Sequence, residues 1–147
     1  AAELQLANIH FHDPVPKRRI PELLEAADVT LMTLFKSPLI NIYFENKLLD
    51  YMGAGKPILA AMDGMQADIL RRYDTGRAVG SFDDEGLARL VTDAAANYEA
   101  FRALGANGRR LVEERFVMND VLERYANMLE AVAQRRSATI PAWDPLA

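Results

Sequence analysis

Two short apolar runs constrain this chain more than anything else in it: Val29-Thr30-Leu31-Met32-Thr33-Leu34-Phe35 and Pro57-Ile58-Leu59-Ala60-Ala61. A strand that alternates polar with apolar residues can leave one face in water. A nearly continuous run asks for cover on both faces, which is the condition of a strand inside a parallel sheet. Between the runs lies a helical pattern over roughly Glu45 to Met52. Gly53 and Gly55 close it, and Pro57 prevents its continuation. Two buried strands with a helix between them pair in parallel, because the helix carries the chain back to its starting edge.

The rest of the chain extends that alternation. Asn8 to His12 has the β-branched and aromatic content of a short strand, broken by Asp13-Pro14-Val15-Pro16. His10 and His12 would share one face of it, which suits a packing role against a core or a neighbouring domain. A short helix follows with Pro21 in its first turn and Leu23, Leu24 and Ala27 on one side, ending at Asp28. Beyond the second run, Asp63-Gly64 is a turn signal, and Gln66 to Tyr73 reads as a short helix. Gly76 to Val79 reads as a brief strand. Asp83 or Asp84 caps a helix with Leu87, Leu90, Val91 and Ala94 along one stripe. Further helices are expected over Tyr98 to Ala103, Ala106 to Glu114 and Asn119 to Gln134, the last with Leu122, Tyr125, Met128, Leu129 and Val132 inward. The expected fold class is therefore α/β, a Rossmann-like parallel sheet with helices on both faces, forming one domain over residues 1–137. An irregular tail, 138–147, lies across the surface or a neighbour. Such a unit normally opens with a strand and a glycine-rich turn. This sequence begins after that point, so it is expected to be a segment of a longer protein.

Composition narrows the partners. Acidic residues outnumber basic ones, 21 to 17, and the basic ones are scattered, which argues against a nucleic-acid groove. The absence of cysteine excludes disulfides, thiolate zinc sites and cysteine nucleophiles, and is compatible with a reducing cytoplasm. No apolar run approaches the ~20 residues of a membrane span. No grouping of histidine and carboxylates has metal-ligand spacing, so no metal is expected.

In an open parallel sheet, ligands bind beyond the carboxyl ends of the strands. His12 to Pro16, Lys36 to Tyr43 and Met62 to Met65 are the loops expected to meet there. The helix beginning near Asn46 and Lys47 starts directly behind a strand and a loop. Its free N–H groups and dipole suit an anion, and Lys47 adds positive charge in the first turn. Asp50 lies three residues further along, on the same helical face, where a carboxylate could accept both hydroxyls of a ribose. The alternative is a solvated ion pair between Lys47 and Asp50. Lys56 suits a structural place at a helix end, where cations are favoured. No residue is singled out as catalytic.

The run Lys47-Leu48-Leu49-Asp50-Tyr51-Met52-Gly53-Ala54-Gly55-Lys56-Pro57-Ile58 resembles the "K-L-x-E-Y-M-A-x-G-K-P-V" segment of the family-4 glycosyltransferases. These are retaining enzymes of the GT-B fold. Ile20-Pro21-Glu22-Leu23-Leu24-Glu25-Ala26-Ala27-Asp28-Val29 is similar to their "P-x-L-L-x-x-A-D-V". Gly76-Arg77-Ala78-Val79 followed by Asp83 to Leu87 resembles the approach to their "D-x-x-x-L" helix. Gly105-Ala106-Asn107-Gly108-Arg109 resembles a "G-x-x-A/G-R" helix junction. The resemblance implies the C-terminal, donor-binding domain of a transferase that takes a UDP- or GDP-linked sugar and needs no separate cofactor. In that reading Lys47 and Asn46 stand at the diphosphate, Asp50 at the ribose, and the Asp13 to Val15 loop at the base. The implied partners are the donor and a preceding acceptor-binding domain, and the implied acceptor is a bacterial glycan or its lipid carrier. The place is the cytoplasm or the inner membrane face. Where the family often carries a glutamate, eight positions before Asp50, this chain has Ile42, and Glu45 is out of register. A nucleotide-sugar 2-epimerase of the same fold, or a non-catalytic α/β module that binds a nucleotide or a protein, are the other readings.

Overall fold

The computed structural model of the protein describes residues 6–34 and 43–142. Its centre is a three-stranded parallel sheet of β1 (Thr30–Thr33), β2 (Ile58–Ala61) and β3 (Gly76–Val79), in that order. Thr30 pairs with Ile58 and Ile58 with Gly76, so the strands start level. The Leu34 N–H to Ala61 carbonyl and Met62 N–H to Val79 carbonyl bonds carry the ladder one residue past each carboxyl end. The helices around it are α1 (Ile20–Ala26), α2 (Asn46–Gly53), α3 (Met65–Arg72), α4 (Asp84–Ala96), α5 (Tyr98–Arg115) and α6 (Met118–Ala133). The expected α/β, Rossmann-like class is the one observed.

β2 is buried along its whole length because both of its faces are covered. Ile58 and Ala60 join Met32, Leu48, Met52, Leu70 and Leu111 in the core. Leu59 and Ala61 point the other way and are also buried, with α4 packed against β2 and β3. β1 departs from the sequence expectation. Thr30 and Met32 are buried, but Leu31 is 50 % exposed and Thr33 faces solvent. Among the described residues β1 is an edge strand, and helices cover only its Met32 face.

α2 closes as its sequence predicts. Gly55 sits at φ +69°, while the Gly55 N–H reaches the Met52 carbonyl and the Lys56 N–H reaches that of Tyr51. This pairing of a left-handed residue with two back-reaching bonds satisfies the last carbonyls of the helix. α4 is capped by Asp83, whose carboxylate accepts the Gly86 N–H at 2.8 Å.

Three further expectations fail. Residues 8–12 form no strand; they are irregular and exposed, and His10 and His12 therefore pack against no core. The two helices expected over 98–103 and 106–114 are one continuous α5. Gly105 and Gly108 do not break it: they let it approach α2. A Cβ at Gly105 would collide with the Gly55 carbonyl, and one at Gly108 would lie 3.2 Å from the Met52 side chain. Close packing here repays the weak helix propensity of glycine. Finally, the stripe on α6 does not turn inward. Leu122, Tyr125, Leu129 and Val132 are each at least half exposed, Met128 is partly buried, and only Ala131 of that helix is buried.

Candidate functional site

The first turn of α2 lies just beyond the carboxyl edge of the sheet, because the chain leaves β1 at that edge and returns along α2 to the start of β2. Its N-cap, Glu45, has extended backbone (φ −81°, ψ 118°) and supplies no side-chain cap. The Leu48 N–H turns back to the Glu45 carbonyl at 3.0 Å. The N–H groups of Asn46 and Lys47 have no hydrogen-bond acceptor among the described residues. Those two amides, with the helix dipole behind them, make an electropositive end.

Side chains alternate in charge around this end. The Lys47 ammonium stands 3.7 Å from the Glu45 carboxylate. The Tyr43 phenol is hydrogen-bonded to the same carboxylate, and this bond and the Glu45 charge hold its pKa above the ordinary tyrosine value. Lys47 is thus not paired with Asp50. The Asp50 carboxylate is exposed and makes no ion pair or hydrogen bond among the described residues. Its charge is felt by the half-buried Tyr51 phenol, whose pKa is raised first by burial and then by Asp50 and Glu45.

Asp50 lines an open cleft of about 620 Å³ between α1 and α2, together with Lys17, Leu24, Gly53, Lys56 and Arg109. Lys47, one turn earlier on α2, is outside its lining. Asp13 is exposed and Val15 half-buried, both in irregular chain ahead of the 3₁₀ turn Lys17–Arg19. Neither lines the cleft, but Lys17, two residues past Val15, does. Asn46 is exposed at the tip of α2. Ile42 and most of the Lys36 to Tyr43 loop lie outside the described residues.

Two cations of the cleft act as helix caps. Lys56 donates to the Glu25 carbonyl at 2.8 Å, so it closes α1 rather than the α2 end it follows in sequence. Arg109 donates to the Gly53 carbonyl at 2.7 Å and pairs with Glu113, which ties α5 to the end of α2. Asp63, half-buried beyond β2, accepts the Ser81 N–H at 3.3 Å and so fastens the loop that follows β3. Gly64 beside it takes φ +83°, as an Asp-Gly turn requires.

One residue at this edge belongs to no motif in the sequence. Gln66, in the first turn of α3, is fully buried. Its Oε1 accepts the Glu45 N–H at 3.0 Å, and its Nε2 donates to the Tyr43 carbonyl at 3.3 Å. A weak signal for it exists: Gln66 shares a helical face with Ile69 and Leu70, and an amide on an apolar stripe must find partners when buried.

Among the described residues, no group of three histidine or carboxylate side chains is placed to hold a metal ion, and no helix is long and apolar enough to cross a membrane. No curated protein and no solved structure matches the chain. The family model for the group 1 glycosyl transferases matches residues 1–111. That span contains the whole sheet, the first turn of α2, Asp50 and Gln66, and with this match over most of its length the chain belongs to the group 1 glycosyltransferases.

Proposed function

We propose that this chain is the donor-binding domain of a retaining glycosyltransferase that uses a nucleotide diphosphate sugar, UDP- or GDP-linked. One observation carries the proposal: within a group 1 glycosyltransferase chain, the Asn46 and Lys47 amides stand without acceptors, among the described residues, at a helix end beyond the carboxyl edge of a parallel sheet. A diphosphate satisfies both amides and meets the helix dipole and the Lys47 ammonium. The Asp50 carboxylate, one turn further on, accepts the ribose hydroxyls. The irregular segment around Asp13 and Val15, which leads into the cleft at Lys17, takes the base.

In the reaction, the bond from the sugar's anomeric carbon to the diphosphate oxygen breaks, the anomeric carbon joins the oxygen of an acceptor hydroxyl, and that hydroxyl's proton passes to the departing diphosphate. Negative charge grows on the departing diphosphate. The α2 amides and Lys47 stabilise it, and because they are already in place, no reorganisation is needed as the bond breaks. Lys47 must exchange Glu45 for phosphate, and a surface pair at 3.7 Å resists that exchange only weakly. The acceptor, a bacterial glycan or its lipid carrier, binds a preceding domain of the same protein, and closure of the two completes the site. The setting is the cytoplasm or the inner membrane face.

Calorimetric titration with UDP and GDP tests the reading. Asp50→Ala should cost about 1.5–3 kcal/mol of binding, a tenfold loss or more, by removing a charge-assisted hydrogen bond. Lys47→Ala should weaken the diphosphate and leave the free nucleoside nearly unchanged. Equal affinities across wild type and both variants would take Lys47 and Asp50 out of the site.

A further inference from the structure

We infer that Gln66 is a positioning residue for the donor diphosphate, acting through the backbone that leads into α2. The inference rests on the reading of the α2 N-terminus as the diphosphate site.

The segment 43–45 sets where α2 begins, and Phe44 within it packs its ring against the core. Glu45 caps the helix with backbone only, since its side chain bonds no helix amide. Tyr43 is about half exposed. The Gln66 side chain supplies what is missing. It presents one acceptor and one donor in a plane, as a neighbouring strand would, and pairs with the Glu45 N–H and the Tyr43 carbonyl. The Gln66 side chain has no exposed surface, while its two backbone partners are only partly covered. A buried amide is costly to leave half-satisfied, so Gln66 keeps both bonds and holds the segment at two points.

The consequence concerns which amides remain for a ligand. Three N–H groups cluster here: Glu45, Asn46 and Lys47. Gln66 consumes that of Glu45 and leaves, among the described residues, those of Asn46 and Lys47, which belong to the helix proper and point along its axis. Gln66 also rides on α3, whose Ala67 and Leu70 are wholly buried. The first turn of α2 is thereby referenced to the core. A misplacement of about 1 Å at such a site is enough to cost much of its effect.

The test uses Gln66→Met, which keeps the length of the side chain and removes both bonds. Amide hydrogen exchange on the 147-residue protein should show Glu45 exchanging about fivefold faster or more, over and above any common change at the β2 amides. An unchanged ratio of Glu45 to β2 exchange overturns the inference without any ligand. Titration with UDP and uridine, and with GDP and guanosine, reads the consequence. The diphosphates should lose about fivefold in affinity while the nucleosides keep theirs; a merely structural role would weaken both alike, and that result overturns the inference. Lys47→Ala run in parallel separates the two ideas. If it weakens the diphosphates and Gln66→Met does not, Gln66 is no positioning residue and the diphosphate site stands. If Lys47→Ala changes nothing, the diphosphate reading falls first and the inference with it. Should Gln66→Met not fold, Gln66→Glu keeps the acceptor, loses the donor, and is read by the same split.

Discussion

α2 and α6 carry apolar stripes of the same kind, and the molecule treats them in opposite ways. Leu48 and Met52 of α2 are shut away against Ile58, Leu70 and Leu111. Leu122 and Tyr125 of α6 are 55 % and 56 % exposed, with an open apolar groove between the helix and the segment Thr139 to Pro141. An amphipathic period states which side of a helix avoids water. It does not state what covers that side. α2 is flanked in sequence by the two strands it must pack on, so its cover is local and guaranteed. α6 follows β3, the last strand among the described residues, and has no such neighbour there.

The largest effect expected from this contrast is at Leu48. Leu48→Ala opens a cavity in a closed core and should cost about 2–5 kcal/mol in urea unfolding, a large share of the stability of a domain this size. Leu129→Ala on α6 removes the same atoms from a half-wet surface and should change stability by less than about 1 kcal/mol. A loss at Leu129 equal to that at Leu48 would break the comparison and show α6 to be part of the core. A smaller effect sharpens the α2 side. Burial and the Asp50 and Glu45 charges raise the Tyr51 pKa, so the folded chain holds that phenol proton more tightly than the unfolded chain does. The stabilisation is fully present below the unfolded value of about 10 and is lost as pH rises through the folded value. Tyr51→Phe should therefore flatten the alkaline fall of stability, and Asp50→Asn should bring the Tyr51 titration to lower pH. A Tyr51 titration indifferent to Asp50→Asn would show that the carboxylate does not sit against this face of α2.

Much of the site's scaffold is legible in the sequence. The helix at Asn46, its closing at Gly55 and the Asp83 cap each depend on residues within a few positions of one another. The features that are not legible depend on residues far apart in the chain. Gln66 and Glu45 are 21 residues apart, and nothing local announces that the amide of one meets the backbone of the other. Gly105 and Gly108 read as breakers because local propensity says so; their use is to admit the backbone of Gly55 and the side chain of Met52. Asn8 to His12 has strand composition but, among the described residues, no partner strand, and composition cannot form a ladder alone.

By itself, then, the sequence determined the parallel β–α–β order, the burial of β2 and the charged first turn of α2. These follow from periods, caps and breakers that act over one or two turns of chain. Only the tertiary structure decided that β1 is covered on one face, that α5 runs unbroken past two glycines, that Lys56 closes α1 and not α2, and that Gln66 grips the entrance to α2. Those outcomes depend on which surfaces come within a few ångströms after folding, a distance that side-chain pattern along the chain does not encode.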